Sequence, residues 1–197
     1  MTAACVGILL AAGQSTRFGT NKLLHPLADG TPMAVAAART LQAAVERSIA
    51  VVADTESELA RLLAQQGLQV IANPCALDGM GTSIACGVAA SPDASGWVIA
   101  LADMPFIPVS VVQSLVAGLA RGADIIAPRY QGRRGHPVGF ASRHAAALRQ
   151  LHADSGAHGV IAANSQTLEL IETGDAGVIV DIDIDSAVHL QRKDQYL

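Results

Sequence analysis

Between Gly13 and Lys22 the chain gathers small residues, hydroxyls and two cations: Gly13, Ser15, Thr16, Arg17, Gly19 and Lys22. Small residues let backbone N–H groups come close to an anion, and the cations neutralise it. Far along the chain stand carboxylates of a different character. Asp103 closes the apolar run Trp97-Val-Ile-Ala-Leu-Ala, and Asp181, Asp183 and Asp185 alternate near the C-terminus. A carboxylate at the end of a hydrophobic strand is costly to desolvate alone, so it favours a cation or a metal as partner. Magnesium bound to phosphates commonly takes one or two such carboxylates. Together the two sets point to chemistry on a polyphosphate.

Spacing excludes two familiar phosphate loops. A P-loop needs Gly, four residues, then Gly-Lys-Ser/Thr; here Gly13 and Gly19 enclose five residues and Leu23 stands where the metal-binding hydroxyl belongs. The dinucleotide fingerprint Gly-x-Gly-x-x-Gly is also missing, which disfavours a nicotinamide or flavin oxidoreductase. Read from the residues alone, each feature also has a plainer meaning. The loop could be a glycine-rich turn with solvated cations, Asp103 a helix N-cap or turn residue, and the Asp181 trio a solvated strand end leading to a helix.

Four ordered motifs narrow the choice. Leu10, Ala11, Ala12, Gly13, Ser15, Arg17, Phe18, Gly19, Lys22 and Leu23 match Leu-Ala-Ala-Gly-x-Ser-x-Arg-Phe-Gly-x-x-Lys-Leu. Leu101-Ala-Asp-Met-Pro105 follows a buried strand, Asn73-Pro through Gly79-Met to Ser83-Ile84 follows another, and Gly135-His-Pro-Val138 lies in an arginine-bearing loop. Combined, they resemble the molybdenum-cofactor nucleotidyltransferase family, closest to its cytidylyltransferase branch. Ala12 and the segment His136-Pro137 carry the leaning toward CTP over GTP.

The resemblance implies a single Rossmann-like nucleotidyltransferase domain over residues 1–197. It implies transfer of a nucleoside monophosphate from a triphosphate to the phosphate of molybdopterin, with release of pyrophosphate and with Mg2+ as cofactor. Arg17, Lys22 and Asp103 would be the catalytic residues. Leu10, Ala11, Ala12, Gly13, Ser15, Arg17, Gly19, Lys22, Asn73, Gly79 and Ser83 would bind nucleotide. Asp103 would hold the metal with Asp183, or else with Asp181, because Ile184 and Asp185 replace the family's Thr-Pro at this point. Arg133, Arg134, Gly135 and His136 would face the acceptor. Three other readings stay open: a guanylyltransferase or a transferase for another phosphorylated acceptor, a non-catalytic carrier handing the pterin cofactor to a molybdenum hydroxylase, and an oxidoreductase.

Composition bounds these readings. The 197 residues suffice for one sizeable core. Aromatics are 3% and net charge is −4 without a long basic run, so a nucleic-acid partner is not expected. Cys5, Cys75 and Cys86 form no paired spacing, and Cys5 and Cys86 read as small buried residues. The five histidines outside the acceptor loop (His25, His144, His152, His158 and His189) have no metal-ligand spacing and read mostly as surface residues. No membrane span or leader is expected, which suggests a cytoplasmic protein.

These residues need a scaffold. Apolar strands are expected at 6–10, 49–53, 68–72, 97–101 and 124–127, with helices at 32–46, 56–66, 81–90 and 109–121 between and after them. The alternation predicts an α/β fold: a doubly wound, mostly parallel sheet with helices on both faces. Ligands of such sheets lie at the carboxyl ends of the strands. The last third predicts strands at 138–140, 168–171 and 178–182 and helices at 142–151 and 157–163. Alternation in an extended segment 181–185 would put Asp181, Asp183 and Asp185 on one face.

Overall fold

The computed structural model describes residues 4–13, 21–154 and 156–182. Its strands are β1 (Cys5–Ala11), β2 (Arg47–Val52), β3 (Gln69–Ala72), β4 (Gly96–Leu101), β5 (Ile125–Tyr130), β6 (Arg133–Arg134), β7 (Val138–Ala141) and β8 (Leu168–Glu172). They form one sheet in the order β3-β2-β1-β4-β7-β5-β6, with β8 paired to β5. β6 and β7 run against the other strands. The fold is thus the expected α/β architecture with a mostly parallel, mixed sheet.

Helices α1 (Met33–Gln42), α2 (Glu58–Gln65) and α4 (Val109–Ala120) cover one face. α3 (Met80–Ala89), α5 (Ala145–Arg149) and α6 (His158–Ala163) cover the other. Because side chains alternate along a strand, each central strand feeds both layers. Leu9, Ala50 and Val98 pack under α1, α2 and α4, whereas Ile8, Ile49 and Trp97 pack under α3. Local signals set the helix ends. Ser57 Oγ accepts from Ala60 N–H to start α2, and Pro32 immediately precedes α1.

The differences from expectation lie mostly in the last third. Residues 178–182 are not a strand. Asp175 Oδ1 accepts from Gly177 N–H at 2.7 Å, which curls the chain into a 3-10 turn over Ala176–Val178. Val178 is then wholly buried, and Ile182 N–H donates to Asp103 O at 3.1 Å. The segment is tied across the sheet end rather than paired into it; Asp183 and Asp185, which the alternation argument sets beside Asp181, lie outside the described residues. The helix predicted at 142–151 divides into a 3-10 turn (Ser142–His144) and α5. β5 runs on through Pro128, whose carbonyl accepts from Gly135 N–H at 2.8 Å. α1 stops at Gln42, four residues short of the predicted end.

His144 is also not a surface residue. It is 7% exposed, and its Nε2 lies 2.7 Å from Asp124 Oδ1. Arg143 Nε and Thr167 Oγ1 reach the same carboxylate at 2.7 and 2.6 Å. Burial pushes the Asp124 carboxyl upward. The hydrogen bonds from Thr167 and His144, with the charges of His144 and Arg143, outweigh it and hold the group below its ordinary value. Three chain segments meet on this one side chain at the amino end of β5.

Two outcomes follow for stability. A Cβ at Gly87 of α3 would sit 2.7 Å from Ile8 Cγ2 of β1, inside the core. Gly87→Val therefore lowers stability by about 1–3 kcal/mol in urea unfolding, the usual cost of overpacking. Asp124 has a depressed folded pKa, so its contribution is fully present above the ordinary carboxylate pKa of about 4 and is lost as pH falls through the folded value. Unfolding curves from pH 6 to pH 3 should show Asp124→Asn less stable than the parent at pH 6, with the gap closing toward pH 3. A constant gap would deny the linkage.

Candidate functional site

β1 lies between β2 and β4 and pairs in parallel with both. The chain leaves β1 toward β2 and β3 on one side, and takes up β4 on the other side only afterwards. This reversal of winding opens a crevice at the carboxyl ends of the two strands. The register there pairs Leu10 with Leu101, and Ala102 N–H donates to Leu10 O at 3.1 Å. Ala12 and Gly13 therefore leave one strand beside Asp103, which leaves the other.

Lys22 returns to the same place. Asn21 Oδ1 accepts from Leu23 N–H at 3.0 Å and starts a 3-10 turn over Lys22–Leu24. Leu23 is buried in the core, which anchors the turn. Lys22 Nζ then lies 3.0 Å from Asp103 Oδ2, with the two side chains 17% and 26% exposed. Each charge offsets the desolvation of the other. A cation and a carboxylate 81 positions apart in sequence thus share one sheet edge, as the motif reading expected.

They open onto a cleft of about 400 Å3. Leu10, Ala12, Gly13, Gly79 and Ser83 line it with Lys22 and Asp103. Ala11, also expected at the nucleotide, instead points into the core under α1. Ser83 Oγ accepts from Asn73 Nδ2 at 2.9 Å, which leaves its proton for an acceptor in the cleft.

Asn73 stands behind this wall rather than in it. It is 3% exposed; Nδ2 also donates to Thr82 Oγ1 at 2.8 Å, and Oδ1 accepts from Cys75 N–H at 3.0 Å. Asn73 holds the loop that lines the cleft. The glycines of that loop do approach a backbone closely, but it belongs to the chain itself. Gly81 N–H donates to Ala153 O at 2.9 Å, and a Cβ on Gly79, at φ +111°, would collide with the backbone of Ala153 and Asp154. This contact has no local sequence signal, because 152–154 meets the loop only through the tertiary fold.

The acceptor motif divides. Arg134 and His136 face a second, adjoining cavity, whereas Arg133 is exposed and lines neither. Successive strand residues point to opposite sides, which separates the two arginines. Gly135 is buried backbone: a Cβ there would strike the carbonyl of Val178, the group that accepts from His136 N–H at 2.7 Å. Burial holds the His136 imidazole below its ordinary pKa. The Arg134 charge adds to this, and Asp103 and Asp181 pull the other way. Those influences show that Arg134, His136, Asp103 and Asp181 are electrostatic neighbours.

For a hard divalent ion, Asp103 offers the right chemistry: an accessible oxygen donor at a polyanion-sized cleft. Among the described residues, no group of three or more His, Cys, Asp or Glu side chains gathers at one point. Ser15, Arg17, Gly19 and Asp183 lie outside the described residues. No described helix is long and apolar enough to cross a membrane.

The family model for the MobA-like NTP transferase domain matches residues 7–168. The chain belongs to this family. This MobA-like chain is 28% identical over 198 residues to the purine catabolism protein PucB of Bacillus subtilis, covering 95% of one and 96% of the other. It is 27% identical to the nicotine blue oxidoreductase of Paenarthrobacter nicotinovorans, over 91% of this chain and 92% of that one. The crystal structure of Rv0371c from Mycobacterium tuberculosis superposes with a TM-score of 0.83 at 24% identity, over 98% of this chain and 100% of that one. A complex of Rv0371c with manganese is also known. The MobA-like chain spans 31% of the length of the bifunctional GlmU protein of Sinorhizobium medicae, which it also matches.

The charges around His136 give a prediction with a sign. An NMR titration of the imidazole should show a midpoint below 6.5, and Asp103→Asn should lower it further by removing a neighbouring negative charge. A rise in that variant would overturn the arrangement.

Proposed function

We propose that this MobA-like transferase moves CMP from CTP to the terminal phosphate of a molybdopterin-type acceptor in the cytoplasm. The observation that carries the reading is the Lys22–Asp103 pair at the mouth of the cleft between β1 and β4. A triphosphate would be drawn along the Gly13–Lys22 side, with Lys22, Arg17 and the loop N–H groups as its donors and Ser15 and Gly19 completing the cradle. The base would enter between Leu10, Ala12, Leu77 and Met80, with the Ser83 hydroxyl offering a hydrogen bond. The resemblance of Ala12 and His136-Pro137 to the cytidylyltransferase branch supports the preference for cytidine.

In the reaction, an oxygen of the acceptor phosphate forms a bond to the α-phosphorus. The bond from that phosphorus to the β-phosphate oxygen breaks, and its electron pair leaves with pyrophosphate. A phosphomonoester has a second pKa near 6, so it arrives largely ionised and requires no strong base. Because the attacking phosphate needs no base, His136 would position the acceptor rather than remove a proton. The chain's contribution is alignment and charge neutralisation. Magnesium, held by Asp103 with Asp183 or Asp181, would supply further positive charge for the phosphate oxygens. Arg134, and Arg133 from the rim, would meet the acceptor phosphate beside Gly135 and His136. A molybdenum hydroxylase would be the client.

The test is pyrophosphate release from the full chain with each nucleoside triphosphate, magnesium or manganese, and molybdenum cofactor. CTP should give the fastest release, and Asp103→Ala should slow it about 100-fold or more with an unchanged far-ultraviolet circular dichroism spectrum. Faster release with GTP would assign the guanylyl reaction. Cofactor binding without release would assign a carrier, and consumption of a nicotinamide an oxidoreductase.

A further inference from the structure

Where the first cleft ends, a second cavity of about 220 Å3 begins, and Leu10, Met80, Leu101 and Asp154 face both. The floor of the second is apolar, built from Ile84, Ile99, Val138, Phe140 and Ile161. Its polar groups are Arg134, His136, His158 and Asp154, and among its described lining residues Asp154 is the sole carboxylate. Arg134 and His136 stand on the side that feels Asp103 and Asp181. A phosphate entering there would meet Arg134. A flat, weakly polar body attached to that phosphate would lie on the apolar floor.

Asp154 is exposed and, among the described residues, has no hydrogen bond or ion pair. Its place is nevertheless tightly determined. The Ala153 carbonyl is held by Gly81 N–H, and the Asp154 backbone fills the space that a Cβ on Gly79 would need. Ala153 adopts φ +61°, a left-handed conformation uncommon for a residue with a Cβ. Strain of this kind persists where surrounding contacts over-determine it, and it is concentrated at ligand sites. An acceptor with no partner among the described residues is therefore presented at the junction of two cavities.

We propose that Asp154 is a specificity-determining residue that reads the N–H edge of the acceptor's ring. The inference rests on the pterin reading of the acceptor given above. A 2-amino-4-oxopyrimidine ring presents adjacent N–H donors along one edge. An ionised carboxylate accepts two such bonds side by side, and charge-assisted bonds of this type are about twice as strong as neutral ones. The ring faces would rest on Ile84, Ile99 and Phe140, in keeping with sites that combine apolar walls with a few oriented polar groups.

The test compares two fluorescent probes on the full chain, without nucleotide or metal: 6-hydroxymethylpterin, and 6-hydroxymethyl-lumazine, in which an oxygen replaces the 2-amino group. The parent protein should bind the pterin about tenfold or more tightly than the lumazine. Asp154→Asn and Asp154→Ala should abolish that preference, while CTP affinity by calorimetry stays within about twofold. Equal binding of the probes by the parent, no binding of either, or a preference that survives both variants overturns the proposal. Loss of CTP affinity instead would make Asp154 a nucleotide contact and equally overturn it. Pyrophosphate is not measured, so the two readings fail separately. A pterin preference that depends on Asp154, in a protein that releases no pyrophosphate, would sink the transfer reaction and leave this inference standing.

Discussion

The parallel pairing of β1 with β4 is the constraint on which the site depends. Its register aligns Leu10 with Leu101, so the two chains leave the sheet at the same level, one as Ala12-Gly13 and the other as Asp103. The loop after β1 then brings Lys22 back within 3.0 Å of Asp103. A slip of one residue would exchange the faces of every side chain on the strand. Both layers of the core oppose such a slip, since Leu9 and Ile8 are each fully buried on opposite faces. The packing that stabilises the sheet is therefore also what places a cation beside a carboxylate at its edge.

A second layer of control comes from small residues that admit backbone rather than side chain. Gly87 lets α3 settle onto Ile8, and α3 carries Ser83 to the cleft wall. Gly79 and Gly81 admit the chain around Ala153, which joins the loop lining the first cleft to the second cavity. Gly135 admits the Val178 carbonyl, which steadies His136. In each case the absent Cβ shortens the distance between parts of the site that are remote in sequence.

Much of this was legible in the residues. The apolar runs ending at Leu10 and Leu101 were continuous enough to read as buried parallel strands, and their ends pointed to Gly13, Lys22 and Asp103. Those signals are local, so they survive without tertiary knowledge. The expectations that failed depend on distant partners. Residues 178–182 looked like a strand because Val and Ile are strand formers, but Asp175 curls the chain and the Asp103 carbonyl takes the Ile182 N–H. Asn73 looked like a ligand contact because it opens a motif, but its amide is consumed by Thr82, Ser83 and Cys75. His144 carried no spacing signal at all, because Asp124 reaches it only in the folded chain. Asp154 carries no sequence signal for the same reason.

The bond from Ile182 N–H to the Asp103 carbonyl has a mechanical meaning. The residue whose side chain meets Lys22 has its main chain fastened to the returning C-terminal segment. Torsions of the peptide on either side are thereby restrained, while χ1 and χ2 remain adjustable. When an incoming anion competes for Lys22, the carboxylate can answer by swivelling about its own stem, with the strand end as a fixed pivot. Rotation of this one side chain therefore requires no movement of the sheet.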